Sequence, residues 1–127
     1  HRYLDLHEYA ADLERIAHAL ELRDAVFVGH SVGAAIAALA SLRCPAACSR
    51  LVLLACSPRY RDAPDYRGGF SDADLRELYR AITANYPEWA DRYAPIAMAN
   101  PDQPQLARDF ATALKAVPAD HALTVLA

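Results

Sequence analysis

Glycine, methionine and tryptophan are scarce in this 127-residue chain, at four, one and one. Cysteine is limited to Cys44, Cys48 and Cys56. An odd number without a C-x-x-C pair excludes a disulfide framework and a zinc site, which need more ligands at tighter spacing. Buried, reduced thiols in a cytoplasmic protein are the expectation. An excess of positive charge is also missing. The net charge of −3 gives no electrostatic reason to expect nucleic acid or an anionic membrane as a partner. Arg59, Arg61 and Arg67 cluster locally, but Asp62 and Asp65 interleave with them, as in a solvated loop. No apolar run is long enough to span a bilayer and no signal-peptide pattern occurs. Hydrophobic residues at 54% and charged residues at 23% describe a globular chain of one-domain size. It starts at His1 without a methionine and stops in mid-pattern at Ala127, as a fragment would.

Against that scarcity, two glycines fall within five residues, Gly29-His30-Ser31-Val32-Gly33. Leu22–Val28 before them reads as a short buried strand, and Ala34–Ala40 after them as a helix that packs closely. A G-x-S-x-G pentapeptide at a strand-to-helix turn is the nucleophile elbow of the α/β-hydrolases. The two glycines are expected to remove β-carbons that would clash in so sharp a turn, letting Ser31 sit strained at its tip. The helix then aims its free N–H groups at the place where an oxyanion develops, with the Val32 N–H as one donor.

The pattern around the elbow alternates. Asp5 with Glu8 resembles a capping box, and Leu6, Tyr9, Ala10, Leu13, Ile16, Ala17 and Leu20 recur at helical spacing. A helix from about Val32 to Arg43 stops before Pro45. Arg50–Ala55 is a second continuous apolar strand, and such strands alternating with helices predict a parallel sheet covered on both faces. The elbow then lies at the carboxyl end of a strand, where open α/β sheets bind ligands. After Ala55 no strand signal remains. A loop over 56–70 leads to helices near 72–85, 87–99, 104–116 and 119–127, with Ser71 as an N-cap and Asp74 at its third helical position. The fold class is therefore α/β. Residues 1–56 form a partial α/β-hydrolase core of two parallel strands with flanking helices, and residues 57–127 form an all-helical cap or lid.

Ser31 as nucleophile needs a general base and an acid. The alternative is an ordinary serine capping the helix that follows. His30 is its neighbour, but adjacent side chains in a sharp turn point apart, so a structural histidine is expected there. Asp120-His121 has the right order after the serine, yet residues i and i+1 of a helix do not face each other. The acid, the base and the second oxyanion donor are accordingly expected outside this chain. Aromatic residues concentrate in the loop and lid. Tyr86, Trp89 and Tyr93 at helical spacing fit either a helix core or a lid stripe facing an apolar pocket, and such a pocket suits a small hydrophobic ester or lactone.

Three signatures accompany the elbow. They are Ser57-Pro58-Arg59-Tyr60 with Asp65-Tyr66-Arg67-Gly68-Gly69-Phe70, Ala84-Asn85-Tyr86-Pro87-Glu88-Trp89, and Tyr93-Ala94-Pro95. Together with Gly29–Ala34 they resemble the α/β-hydrolase subfamily of the RsbQ-like stress regulators and the plant strigolactone and karrikin receptors. The resemblance spans nearly the whole chain. It implies a hydrolase core under a four-helix lid, with Ser31 as nucleophile and Tyr60, Trp89, Tyr93 and Phe110 at aromatic positions lining a small apolar pocket. Tyrosines stand at 60 and 93 where phenylalanine is frequent, and Gly33 stands where serine is frequent. The expected function is that of a serine, carboxylesterase-like hydrolase segment acting on a small apolar ester or lactone, without cofactor or metal. The alternative is a ligand-sensing signalling protein whose lid surface binds a protein partner, with the isolated chain inactive.

Overall fold

The computed structural model describes Tyr3 and residues 5–126. Its elements in order are α1 (Leu6–Ala19), β1 (Ala25–His30), α2 (Val32–Arg43), β2 (Cys48–Leu54), α3 (Asp72–Ala84), α4 (Tyr86–Met98), α5 (Pro104–Lys115) and α6 (Ala119–Leu126). They fall into two compact units, His1–Gly68 and Gly69–Ala127. The far end expected for the last helix, Ala127, lies outside the described residues.

In the first unit the Asp5 carboxylate accepts hydrogen bonds from the backbone N–H groups of His7 and Glu8, closing the start of α1. One stripe of α1 buries Ala10 and Ala17, and α2 buries Ala34, Ala37 and Ala40. With methyl groups alone at these positions the backbones can approach closely, and α2 packs against α1 and both strands. Phe27, Cys44 and Ala47 complete this small core. The Arg43 side chain reaches back to Glu14 at 2.7 Å and ties the two helices at their surface.

β1 and β2 pair in parallel from Ala25 opposite Cys48 to His30 opposite Leu54, with an irregularity between Ala25 and Val26. The parallel sheet and its order are as the sequence predicts. The cover on both faces is not realised. Only Phe27 and Gly29 of β1 are buried, while Val26, Val28 and Leu51–Leu54 are exposed. An apolar strand composition fixes which residues tolerate burial, but burial itself needs a second layer, and among the described residues none lies on that face. The thiols differ from expectation as well. All three are free, yet only Cys44 is buried, with Cys48 half-buried and Cys56 exposed.

The second unit is helical throughout. Ser71 and Asp74 form a reciprocal capping box at the start of α3, with the Ser71 hydroxyl accepting from the Asp74 N–H and the Asp74 carboxylate accepting from the Ser71 N–H at 2.8 Å. Asn85 ends α3 and caps α4, accepting from the Glu88 N–H at 3.2 Å. Pro87 and Pro104 sit in the first turns of α4 and α5, where a missing N–H costs nothing. Pro95 lies inside α4, and the helix ends on Ala99 in a left-handed conformation.

Candidate active site

Ser31 sits between β1 and α2 with φ 54° and ψ −124°, a left-handed backbone that non-glycine residues adopt only under constraint. The constraint is visible on both sides. The Ser31 N–H donates to the Leu54 carbonyl at 2.9 Å, the last bond of the sheet, and its own carbonyl accepts from Ala34 at 3.0 Å, the first bond of the helix. The turn between them has no residue to spare. Gly29 is required there, since a β-carbon on it would lie 2.4 Å from the Gly33 carbonyl oxygen and 2.5 Å from the Ala34 Cα. Gly33 is not. A β-carbon at that position would meet nothing within 4 Å, which corrects the expectation that both glycines relieve a clash.

The Ser31 hydroxyl makes no capping bond to α2, so the ordinary N-cap reading fails. Instead its Oγ lies 3.5 Å from the Tyr60 hydroxyl. Val32 is the first residue of α2, where a backbone N–H has no intrahelical acceptor. His30 is exposed at the end of β1, and among the described residues no histidine or carboxylate hydrogen-bonds to the serine hydroxyl. The Asp120-His121 pair falls within the first turn of α6, in the second unit. Among the described residues no three of His, Cys, Asp and Glu converge as a metal ion would require.

Tyr60 is held by its own loop. After β2, Ala55 turns through a positive φ of 49° and presents its carbonyl to the Tyr60 hydroxyl, which donates to it at 3.3 Å. Ser57 closes a local turn by donating to the Arg59 carbonyl at 2.9 Å. The returning strand of the loop bonds Ala63 to Tyr66 in both directions, and the Gly68 N–H donates to Asp62 at 2.8 Å. Gly68 lies so close to the Tyr60–Arg61 backbone that a β-carbon would come within 2.6 Å of it. The first glycine of the D-Y-x-G-G-F signature thus lets the loop close on the residue that reaches Ser31. Sequence reading placed Tyr60 only among pocket-lining aromatics. A hydroxyl contact across twenty-nine residues leaves no mark on local spacing.

In the second unit Tyr86, Trp89, Tyr93 and Phe110 form a continuous ladder. Tyr86 stacks on Trp89 at 5.6 Å between ring centroids, Trp89 on Tyr93 at 5.0 Å, and Tyr93 meets Phe110 of α5 at 6.4 Å, tilted. Tyr86 is buried and donates its hydroxyl to the Leu114 carbonyl at 2.9 Å. Burial pushes its phenol pKa up. Trp89 and Phe110 are half-buried and Tyr93 is exposed. The inner end of the stripe is helix core and its outer end is exposed. Three of the four predicted lining residues are therefore adjacent to one another, and the fourth, Tyr60, stands beside Ser31.

A strand-to-helix turn that strains a serine, closes on an obligatory glycine and opens a helix N-terminus behind the hydroxyl defines an α/β-hydrolase. Residues 3–123 match the family model for the alpha/beta hydrolase fold, and the chain belongs to that family. Its relatives are of the strigolactone- and karrikin-receptor type. It is 40% identical over 124 residues to a probable esterase of Oryza sativa subsp. japonica, covering 98% of this chain and 46% of that protein. It is 38% identical over 113 residues to a strigolactone esterase of Arabidopsis thaliana, covering 89% and 42%. It is 36% identical over 125 residues to a karrikin insensitive 2 receptor of Petunia hybrida, covering 98% and 46%. The solved structure of a hydrolase from Oleispira antarctica superposes with a TM-score of 0.88 at 32% identity, over 98% of this chain and 46% of that one. The chain thus spans less than half the length of the relatives it matches. No helix among the described residues is long and apolar enough to cross a membrane.

Proposed function

We propose that the chain carries the nucleophile and lid of a cytoplasmic serine hydrolase acting on a small apolar ester or lactone. Ser31 attacks the carbonyl, the Val32 N–H receives the oxyanion, and water releases the acyl group from the serine. The general base and its acid are supplied from outside residues 1–127. The core and lid divide at residue 56, and Tyr60, Trp89, Tyr93 and Phe110 contact the apolar part of the ligand. The observation that carries this reading is the strained φ of Ser31, with a hydroxyl that serves no helix cap. Strain of this kind persists only where the surroundings enforce it, and nucleophile turns are a known place for it.

The test is hydrolysis of p-nitrophenyl acetate by the protein as encoded by its gene. Turnover is expected to fall to background in Ser31→Ala. Equal rates in both proteins would overturn the assignment.

A second reading has its own support. A relative named as a karrikin insensitive 2 receptor is 36% identical over 98% of this chain, and an aromatic ladder suits sensing as well as turnover. In that case the site hydrolyses slowly, and the lid surface binds a signalling protein once ligand is present. Trp89 is the single tryptophan, so ligand entry should change intrinsic fluorescence. Slow turnover with ligand-dependent capture of a partner would favour this reading, and rapid turnover of short acyl esters without one would favour the enzyme.

A further inference from the structure

The Tyr60 hydroxyl contacts two oxygens, the Ala55 carbonyl at 3.3 Å and the Ser31 hydroxyl at 3.5 Å. It has one proton to give. A carbonyl can only accept, so the Tyr60 proton is directed to Ala55 and the Tyr60 oxygen is left as acceptor for the proton of Ser31. The resting serine therefore points its proton at the Tyr60 phenol oxygen. Everything around Tyr60 maintains this arrangement: the left-handed Ala55 that turns its carbonyl inward, the Ser57–Arg59 turn, and the close approach of Gly68 behind the Tyr60 backbone.

We infer that Tyr60 is a positioning residue that latches the nucleophile in a resting orientation, which must be broken before attack. The inference rests on the reading of Ser31 as nucleophile and adds a brake to it. A bond made in the ground state and lost in the transition state adds its strength to the barrier. Both contacts are long, so the brake is light, and it is released when the Ser31 proton turns away from the Tyr60 oxygen toward the general base. The latch acts on the serine hydroxyl itself, unlike a pocket-lining role, in which only the ring matters.

Phosphonylation by a fluorophosphonate probe isolates the effect in one covalent step. The Ser31 Oγ–P bond forms, the P–F bond breaks with loss of fluoride, and the serine proton passes to the base or to water. Labelling rates are compared for the protein as encoded by its gene, for Tyr60→Phe, which keeps the ring, and for Ser31→Ala. Tyr60→Phe should label about two- to threefold faster, the low end of what losing one neutral hydrogen bond gives. Its melting temperature and the KM for p-nitrophenyl acetate should stay unchanged while kcat rises. A purely structural hydroxyl would instead lower the melting temperature and leave labelling equal or slower, which overturns the latch. Wild-type labelling that depends on Ser31 but is unaltered by Tyr60→Phe overturns the latch alone. No Ser31-dependent labelling in either protein overturns the nucleophile reading, and the latch with it.

Discussion

Gly29 passes so close to Gly33 that a β-carbon on the first would lie 2.4 Å from the carbonyl oxygen of the second, whereas one on Gly33 would meet open space. Two glycines that look equivalent in the pentapeptide therefore have different duties. Gly29→Ala forces backbone apart at the base of the elbow and should cost about 2–4 kcal/mol, in the range of severe overpacking. Gly33→Ala, near the start of α2, should be neutral or stabilising by up to about 1 kcal/mol, because alanine is the better helix former. Urea denaturation of both variants checks this, and equal costs would contradict it.

The Tyr86 hydroxyl joins α4 to the Leu114 carbonyl of α5. Tyr86→Phe leaves a part-buried carbonyl without that partner and should destabilise the helical unit by about 1 kcal/mol. The loss would appear as a lower denaturation midpoint with an unchanged slope.

Asp74 is held below the usual carboxylate range, first by the Ser71 hydroxyl and then by the Ser71 backbone N–H. A folded-state pKa below the unfolded one adds stability that is present above the unfolded pKa and lost as pH falls through the folded value. Wild type should thus lose part of its stability below about pH 4, where an unperturbed aspartate begins to protonate. Asp74→Asn should be less stable than wild type at pH 7, with a shallower decline on acidification. Parallel declines in melting temperature between pH 6 and pH 2.5 would remove the capping box as the cause.

Thiol reactivity should follow burial. Cys44 is buried, its Sγ donates to the Ala40 carbonyl at 3.1 Å, and burial, followed by the charges of Glu14 and Cys48, pushes its pKa up. Thiolate is the reactive form, so Cys44 should resist Ellman's reagent until the chain unfolds, while the exposed Cys56 reacts first. Mass mapping after brief iodoacetamide treatment distinguishes the two.

Residues 1–127 expressed alone should self-associate, because the sheet leaves Val26, Val28 and Leu51–Leu54 exposed, Val28 by 63%. The same polypeptide should hydrolyse p-nitrophenyl acetate no faster than its Ser31→Ala variant, since among the described residues no histidine or carboxylate hydrogen-bonds to the serine hydroxyl. Light scattering and a single rate comparison test both statements. Val28→Lys, at the most exposed of these apolar strand residues, should reduce association without unfolding the parallel pair.

Local chemistry alone determined much of this protein. Helical periodicity and caps set the helices from Leu6 to Leu126 almost to the residue, since Asp5, Ser71, Asn85 and the prolines act on backbone groups only a few positions away. The pentapeptide around Ser31 and the loop and lid signatures gave the family, and Gly29 and Gly68 owe their presence to close approaches that the motif spacing already encodes. Tertiary structure decided what depends on neighbours distant in sequence. It freed Gly33 from any steric duty, buried one thiol and exposed another, and left Val26, Val28 and Leu51–Leu54 of the sheet open although they are apolar. It also brought the Tyr60 hydroxyl to Ser31 across two chain reversals. Composition tells what a side chain tolerates. Only the closed loop after β2 determines which oxygen it meets.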